Sequence, residues 1–479
     1  MNWLRSIGDW LDQRLGLRAP IVEAATHHVL RDTASWWYVF GSTSLALFAV
    51  QILTGICLAT VYVPAADKAW ESLQELNYQQ PLGWYLRALH GWGSNFMLAM
   101  VIAHMIQVVV FGAYKFPREL TWLIGILLLA MTLGMAFTGQ VLRFDQDAYW
   151  GLGIGAAILG RTPFIGASAV HVLLGGPIIA GETLSRFFAL HVFVIPGMLI
   201  GFVALHLLLV LKVGINEWPM PGRLVNRRTY RREYEEMVHR DGIPFFPDAA
   251  KRDMVFIGIT LLALFTCAAV FGPFGPSGVP DPTIIATVPR PDFFFLWIYA
   301  LFALLPAYME TTLILIGPVL AGAALLALPF IAGTGEKSWK RRPFAMLMIV
   351  FTLLVVGSLT YLATFAPWSP VMSAWSAFPT PEQYLRGRTP LELQGAVLLQ
   401  NKQCRNCHSL ADEGGMRGPA LDDVATRLSE DQLIRQVLQG GGEMPAYGKN
   451  LTPPQVTALV AFLRTLHPPN EPSARAAAE

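Results

Sequence analysis

Residues 84–111 read WYLRALHGWGSNFMLAMVIAHMIQVVVF. A helix that crosses a bilayer takes roughly 20 mostly apolar residues, and this stretch supplies them while carrying two histidines. Ionisable side chains at membrane depth are costly and mark function. His90 and His104 are 14 residues apart, which on a helix is ~21 Å along the axis and within ~40° of one face. Residues 187–213, FFALHVFVIPGMLIGFVALHLLLVLKV, repeat the pattern with His191 and His206, ~22 Å apart. A hydrogen bond to a neighbouring helix accounts for one such histidine. It does not account for four at matched intervals on two helices. Facing each other, the two helices form two bis-histidine sites, one towards each membrane surface.

The rest of the chain suits the same solvent. Of 479 residues 54% are hydrophobic and 14% charged, against about 25% charged in soluble proteins. A formal net charge of +2 gives no footprint for nucleic acid, and four cysteines exclude a disulfide-stapled secreted scaffold. Seven spans are predicted near 36–62, 84–111, 121–141, 187–213, 254–274, 311–332 and 344–365. The shorter apolar run 293–305 ends at Pro306 and reads as a re-entrant or interfacial helix. Basic residues crowd the loop after the fourth span (Lys212, Arg223, Arg227, Arg228, Arg231, Arg232, Arg240, Lys251, Arg252) and the loop before the seventh (Lys337, Lys340, Arg341, Arg342). Both loops, and the N-terminus, are expected on the cytoplasmic side, and seven spans then export the C-terminus. Trp3, Ile7, Trp10, Leu11 and Leu15 share one helical face opposite Arg5, Asp9, Asp12 and Arg14. They predict an interfacial amphipathic helix rather than a cleavable signal.

Glycines keep the histidine interval. Gly41 and Gly55 in the first span, and Gly125 and Gly139 in the third, are also 14 apart. A flat ring between helices needs side chains missing where it touches its neighbours, so two stacked haems account for both sets. Arg87, one turn before His90, is positioned for a haem propionate or a phospholipid headgroup. Span pattern and histidines together resemble cytochrome b of the quinol:cytochrome c reductase (bc) family, over about residues 1–366. The resemblance implies a low-potential haem b on His90 and His191 near the outer face. It implies a high-potential haem b on His104 and His206 near the inner face. The 15-residue interval and the three spans that follow resemble the plastid-type complex, whose four-helix cytochrome and three-helix subunit IV are separate chains but here would be fused. That type hangs a further haem from a cysteine early in the first span. Alignment on Val50-Gln51 puts Val39 there, so no such haem is expected. Cys57 and Cys267 then read as small buried apolar residues.

Pro291-Asp292-Phe293-Phe294 stands where the family has Pro-Glu-Trp-Tyr at its outer quinol-oxidation site. The resemblance gives Asp292 the general-base role of taking a proton from quinol; it is one methylene shorter than glutamate, and Phe294 lacks the hydroxyl. Gly139 to Phe144 and Tyr149-Trp150-Gly151 resemble the other wall of that pocket. Arg143, Asp145 and Asp147 between them read as a solvated loop, with a proton exit as the other reading. At the inner face Lys212 follows His206 by six residues and Arg252-Asp253 opens the fifth span. The family has a quinone-reduction site among such residues, with Asp253 donating or relaying a proton. A helix-start carboxylate with a capping and dipole role is the other reading.

After the last span Pro367, Pro370, Pro379, Pro381 and Pro390 mark a linker. Cys404-Arg405-Asn406-Cys407-His408 is the C-x-x-C-H signature of covalent haem c attachment: two thioethers from the cysteines and an axial nitrogen from His408. Zinc would need a second ligand pair. Met444, in Gly-Gly-Glu-Met-Pro-Ala-Tyr, is the candidate sixth ligand, and His/Met ligation raises the potential. Met416, eight residues past His408, is too near to wrap round the ring. The order resembles a class I cytochrome c, in which a proline carbonyl, here that of Pro419, orients the proximal histidine and a terminal helix, near 453–466, closes the fold. Haem c is attached outside the cytoplasmic membrane, which agrees with seven spans.

The expected architecture is an all-α membrane protein. An amphipathic helix (1–30) precedes a four-helix dihaem domain (31–215) and a three-helix quinol-site domain (216–366). A linker (367–389) leads to a small all-α periplasmic cytochrome c domain (390–479). The expected function is the cytochrome b/c subunit of a bacterial quinol:cytochrome c oxidoreductase in the cytoplasmic membrane. Quinol and quinone are its substrates, and proton translocation accompanies electron transfer. Its partners would be a Rieske iron–sulfur protein, other subunits of the complex and a cytochrome c acceptor, and the resemblance implies a dimer. The rivals are a dihaem anchor between quinone and a periplasmic dehydrogenase, and a proton or solute channel.

Overall fold

The computed structural model describes residues 26–468 except 177, 281–290, 366–379, 403, 407, 415–417, 441–443, 445 and 449–450, and before them only residues 10, 12–14, 16 and 22. Most of the N-terminal amphipathic segment and of the linker, together with Cys407 and Met416, lies outside the described residues.

Among the described residues seven helices are long and apolar enough to cross a membrane: Val39–Ala59, Gly83–Val110, Glu119–Leu142, Gly181–Val213, Phe245–Phe271, Tyr308–Ile331 and Pro343–Phe365. They coincide with the seven predicted spans. The fourth starts earlier because an amphipathic turn, Gly181–Ala189, runs into it without a break and buries Leu184 and Phe187. The apolar run before Pro306 is the short helix Phe293–Leu304. It packs Leu296 and Ala300 against Ala363 of the seventh span.

The first span packs along the second and the third along the fourth, the second touches the third, and the fifth lies against the first two. The four-helix bundle is plugged at mid-depth by Phe48, Met131 and Leu199, with Ile52, Met97, Met135 and Ile195 around them. Phe48, Met97, Met131 and Leu199 each fall about midway between the two glycines or the two histidines of their own span. The plug therefore separates one histidine level from the other. At the His104/His206 end two short antiparallel pairs, His28–Leu30 with Gly242–Pro244 and Leu224–Val225 with Gly335–Glu336, tie loops of both halves together. Cys57 is exposed and Cys267 half-buried, which corrects the expectation that both are buried. On a helix face turned to lipid a small apolar side chain needs no protein cover.

In the C-terminal region Pro390–Asn401 packs on Pro453–Leu463. The first of these helices is opened by a capping box: Thr389 N–H donates to Glu392 Oε2 at 2.7 Å and Glu392 N–H to Thr389 Oγ1 at 3.4 Å. Such an N-cap contributes about 1 kcal/mol. Gly395 makes the crossing possible, since a Cβ there would lie 2.0 Å from the Ala458 carbonyl oxygen. Leu399, Leu410, Phe462 and Leu466 form the core beneath.

Candidate functional site

The four histidines come together in pairs. The rings of His90 and His191 have centroids 6.2 Å apart. Two imidazoles on opposite sides of one metal ion, each bonded at about 2 Å, have centroids about 6 Å apart. Threonines set their tautomers. Thr54 Oγ1 donates to the Val50 carbonyl at 2.7 Å and lies 2.9 Å from His90 Nδ1. Thr138 Oγ1 donates to the Gly134 carbonyl at 2.8 Å and lies 3.0 Å from His191 Nδ1. Each hydroxyl has spent its proton on a carbonyl, so it accepts from Nδ1–H and leaves the Nε2 lone pair free for a ligand. Sequence reasoning missed both threonines, although the dipeptide Thr-Gly recurs at 54–55 and 138–139.

All four glycines face histidine rings. A Cβ would meet His104 Cε1 at 3.3 Å from Gly41, His90 Cε1 at 3.2 Å from Gly55, His206 Cε1 at 3.6 Å from Gly125 and His191 Cε1 at 2.8 Å from Gly139. The 15-residue interval of the fourth span also has a local cause. Ile195 N–H donates to the Leu190 carbonyl, an i→i+5 turn over Leu190–Val194. One π-turn absorbs one extra residue, so fifteen residues rise as fourteen do in the second span. Pro196, which cannot donate within the helix, was the signal for that break. Paired rings, free Nε2 atoms and glycine-cleared walls fit a bis-histidine haem at the His90/His191 level, and His104, which lies near enough to His206 to feel it, has the same glycine clearance at the other level.

At the His90/His191 end the loop after the third span is tied down, not solvated as the sequence suggested. Asp145 is fully buried. It caps Gln146–Gly160 through Ala148 N–H at 2.9 Å, accepts from Ser277 N–H at 2.9 Å and pairs with Arg143 at 3.2 Å. The physical reason is that it satisfies two buried backbone donors which water cannot reach. Gln146 N–H donates to the Gly278 carbonyl at 3.0 Å. Arg87 donates to Asn77 Oδ1 and the Phe274 carbonyl, both at 2.8 Å, and to the Gly275 carbonyl. The segment after the fifth span is thereby stitched across the mouth of the bundle. Asp292 lies half-buried beside this loop, with Pro291 before it and the rings of Phe293 and Phe294 4.1 Å apart after it. Tyr149 stands between Phe144 and Trp150. Burial pushes the Asp292 carboxyl up, the Arg143 charge pulls it partly back and Asp145 adds to the rise. Burial and Asp145 push Asp147 up to about 6 against the pull of Arg143. Asp147 is thereby tuned towards proton exchange not far below neutral pH, and Asp292 is shifted in the same direction.

At the other end Asp253, in the first turn of its helix, lies against Ser42, the neighbour of Gly41. Lys212 is exposed at the end of the fourth span. In the C-terminal region His408 Nδ1–H donates to the Pro419 carbonyl at 2.8 Å, and a Cβ on Gly418 would lie 2.3 Å from His408 Cε1. The hydrogen bond fixes the ring through Nδ1 and leaves Nε2 as the nitrogen for a ligand. Met444 Sδ lies 3.4 Å from Gln436 Nε2. Cys404 opens the turn Cys404–Asn406, and His408 N–H closes onto its carbonyl at 3.0 Å.

Residues 26–214 match the family described as cytochrome b/b6/petB, and residues 392–463 match the cbb3-type cytochrome c oxidase subunit III family. The chain is 38% identical over 210 residues to cytochrome b6 of Heliobacterium mobile, covering 44% of this chain and 99% of that protein. It is 36% identical over 220 residues to the menaquinol:cytochrome c reductase cytochrome b subunit of Bacillus subtilis, covering 44% and 98%. It is 31% identical over 360 residues to the cytochrome bc complex cytochrome b subunit of Chlorobaculum thiosulfatiphilum, covering 73% and 79%. Among solved structures, a chain of a hyperthermophilic respiratory Complex III superposes with a TM-score of 0.63 at 27% identity, covering 75% of this chain and 91% of that one. With paired histidines, glycine-cleared walls and a C-x-x-C-H tail on one polypeptide, the chain belongs to the cytochrome b family of the bc complexes and carries a cytochrome c domain fused behind its last span.

Proposed function

We propose that this chain is the cytochrome b/c subunit of a quinol:cytochrome c reductase. In this reading it holds two b haems, on His90/His191 and His104/His206, and one covalent haem c on Cys404, Cys407, His408 and Met444. The observation that carries the reading is the His90–His191 pair, 6.2 Å apart with both Nδ1 atoms held by threonines. When bound, the haems supply one-electron acceptors at the two membrane levels and in the exported domain. Gly41, Gly55, Gly125 and Gly139 keep the walls clear for the rings. Arg87 keeps the outer mouth closed by holding the Phe274–Gly275 backbone, and its nearness to His90 suits a propionate. Asp292 takes a proton from quinol at the outer site, lined by Pro291, Phe293, Phe294 and Tyr149, and Asp147 beside Arg143 offers the proton a second stop towards water. Asp253, with Lys212 at the same surface, supplies protons to quinone at the inner site. Pro419 fixes the His408 tautomer.

The basic loops support a reading with the His104/His206 end in the cytoplasm and the cytochrome c domain in the periplasm. Cys57 and Cys267 lie in spans and the other two cysteines in the haem c motif, so in this reading a partner supplies the Rieske iron–sulfur centre. The expected result is two haem b per covalent haem c in a pyridine haemochrome spectrum of the purified chain, with a Rieske protein in the native complex. One haem b or none would refute the histidine assignment. Two haems without a Rieske partner would leave the dihaem anchor. In the same assay Gly139→Ala should lower haem b from two towards one, since the new Cβ meets the His191 ring at 2.8 Å. Unchanged content would mean that the ring can yield.

A further inference from the structure

At the His104/His206 end three loops close over a charged cluster that no step above uses. Lys337 donates from Nζ to Asn216 Oδ1 at 2.7 Å, to the two Glu217 oxygens at 3.1 and 3.2 Å and to the Tyr230 hydroxyl at 3.1 Å. Tyr230 donates to Glu217 Oε2 at 2.6 Å and accepts from Arg118 at 2.7 Å. The Arg118 guanidinium also lies over the rings of Tyr230 and Tyr234. None of Lys337, Glu217, Arg118, Tyr230 and Asn216 is more than 5% exposed.

Charge is not balanced in this dry site. With Lys337 neutral, Arg118 and Glu217 cancel. With Lys337 protonated, one excess positive charge is buried, which is costly. The cations around it add to the excess: Arg223, itself paired with Glu233 at 3.7 Å, Lys115 on the Thr334 carbonyl and Arg342 on the Val109 carbonyl. Glu336, on the Gly222 and Ser338 amides, Glu119, 3.9 Å from Arg227, and Asp32, which Tyr38 feels, are anions at this end that lie outside the cluster. Burial brings the ammonium down to about 7 in spite of these contacts and against the pull of Glu217. The cluster lies about two helical turns beyond the inner histidine level. Tyr38, which feels the charges of Glu217 and Arg118, stands three residues before Gly41. A Cβ on Gly112 would lie 3.2 Å from Lys337 Cα, and Gly112 is eight residues past His104, ~12 Å along the axis.

We propose that Lys337, held by Glu217 and Tyr230, is a redox-linked proton-loading site of the inner face. The Lys337 amine takes a proton from cytoplasmic water when an electron from quinol reaches the His104/His206 level. The N–H bond breaks again when that electron passes on, and the proton follows it to quinone. The inference rests on the assignment of a haem to His104 and His206. A unit charge on the order of 12 Å away, at an effective dielectric constant of about 20, changes a one-electron equilibrium about tenfold, which is about 59 mV.

The test is a redox titration of both b haems in the complex across neutral pH. In the wild type the potential of the inner haem should fall by that tenfold step as pH rises through about 7, while the outer haem shows no such step. Lys337→Met should remove the step and hold the inner potential at its alkaline value. Lys337→Arg, with its charge fixed, should remove the step and hold the acid value. Opposite plateaus are not what a merely structural role produces, and Lys337→Arg alone decides if Lys337→Met does not assemble. A wild type without the step, or a step that survives in either variant, overturns the proposal. A haem count on the same samples separates this from failure of the histidine assignment, which would show as a missing second haem b.

Discussion

His191→Ala should leave one haem b per chain and abolish electron transfer from the outer site to the inner quinone, with haem c unaffected. On the proposed assignment the variant removes one of the two histidines that would hold the outer haem; the other, His90, comes from a different helix, so no neighbouring side chain takes its place. The plug of Phe48, Met131 and Leu199 stays as it was, so the inner level should keep its spectrum. Optical and EPR spectra of the purified variant measure both. Thr138→Val is the companion experiment. It keeps the ligand but deletes the acceptor 3.0 Å from His191 Nδ1, and loss of such a supporting hydrogen bond weakens a metal site ~10–100-fold. The variant should therefore retain haem b as isolated and lose it faster than the wild type on dilution or mild denaturation. If His191→Ala still holds two b haems, the outer site is built from other residues.

The spans and the histidine pairs were legible because they are carried by local pattern. Twenty apolar residues are unambiguous, and a 14-residue interval needs only the helix repeat to be read. What stayed hidden depends on contacts far apart in the chain. Lys337 finds Glu217 across 120 residues, and neither position breaks any local rule. Asp145 and its neighbours read as a solvated loop because the partner that buries them, the backbone at Ser277–Gly278, arrives after the fifth span. The π-turn at Leu190–Val194 lies between these cases. Pro196 marked a break in the hydrogen-bond ladder, but only the structure joins that break to the odd fifteenth residue between His191 and His206. Thr54 and Thr138 were overlooked for another reason. A threonine in an apolar helix commonly bonds back to its own turn, and both do so; the second use of the same oxygen needs a ring from another helix.

Asp292→Asn should lower the rate of quinol oxidation by about 10²–10³ while both b haems and haem c remain, because general-base assistance is worth 10²–10⁴ and asparagine keeps the shape without accepting a proton. The pH profile is the stronger readout. A general base works only when ionised, so the rate should rise with pH as Asp292 loses its proton. Burial moves that rise above the usual carboxylate range, less the pull of Arg143. Asp292→Asn should erase the rise, and Asp292→Glu, which restores the longer acid, should bring it back. Asp147 provides the internal control. Its carboxyl is pushed up to about 6, so if it merely relays the proton, Asp147→Asn should slow turnover without removing the dependence on Asp292. If instead the rate of Asp292→Asn still rises with pH near 6, where Asp147 loses its proton, and that rise vanishes in Asp147→Asn, the first proton goes to Asp147. The shortened acid at 292 would then have ceded its role to the helix that Asp145 caps.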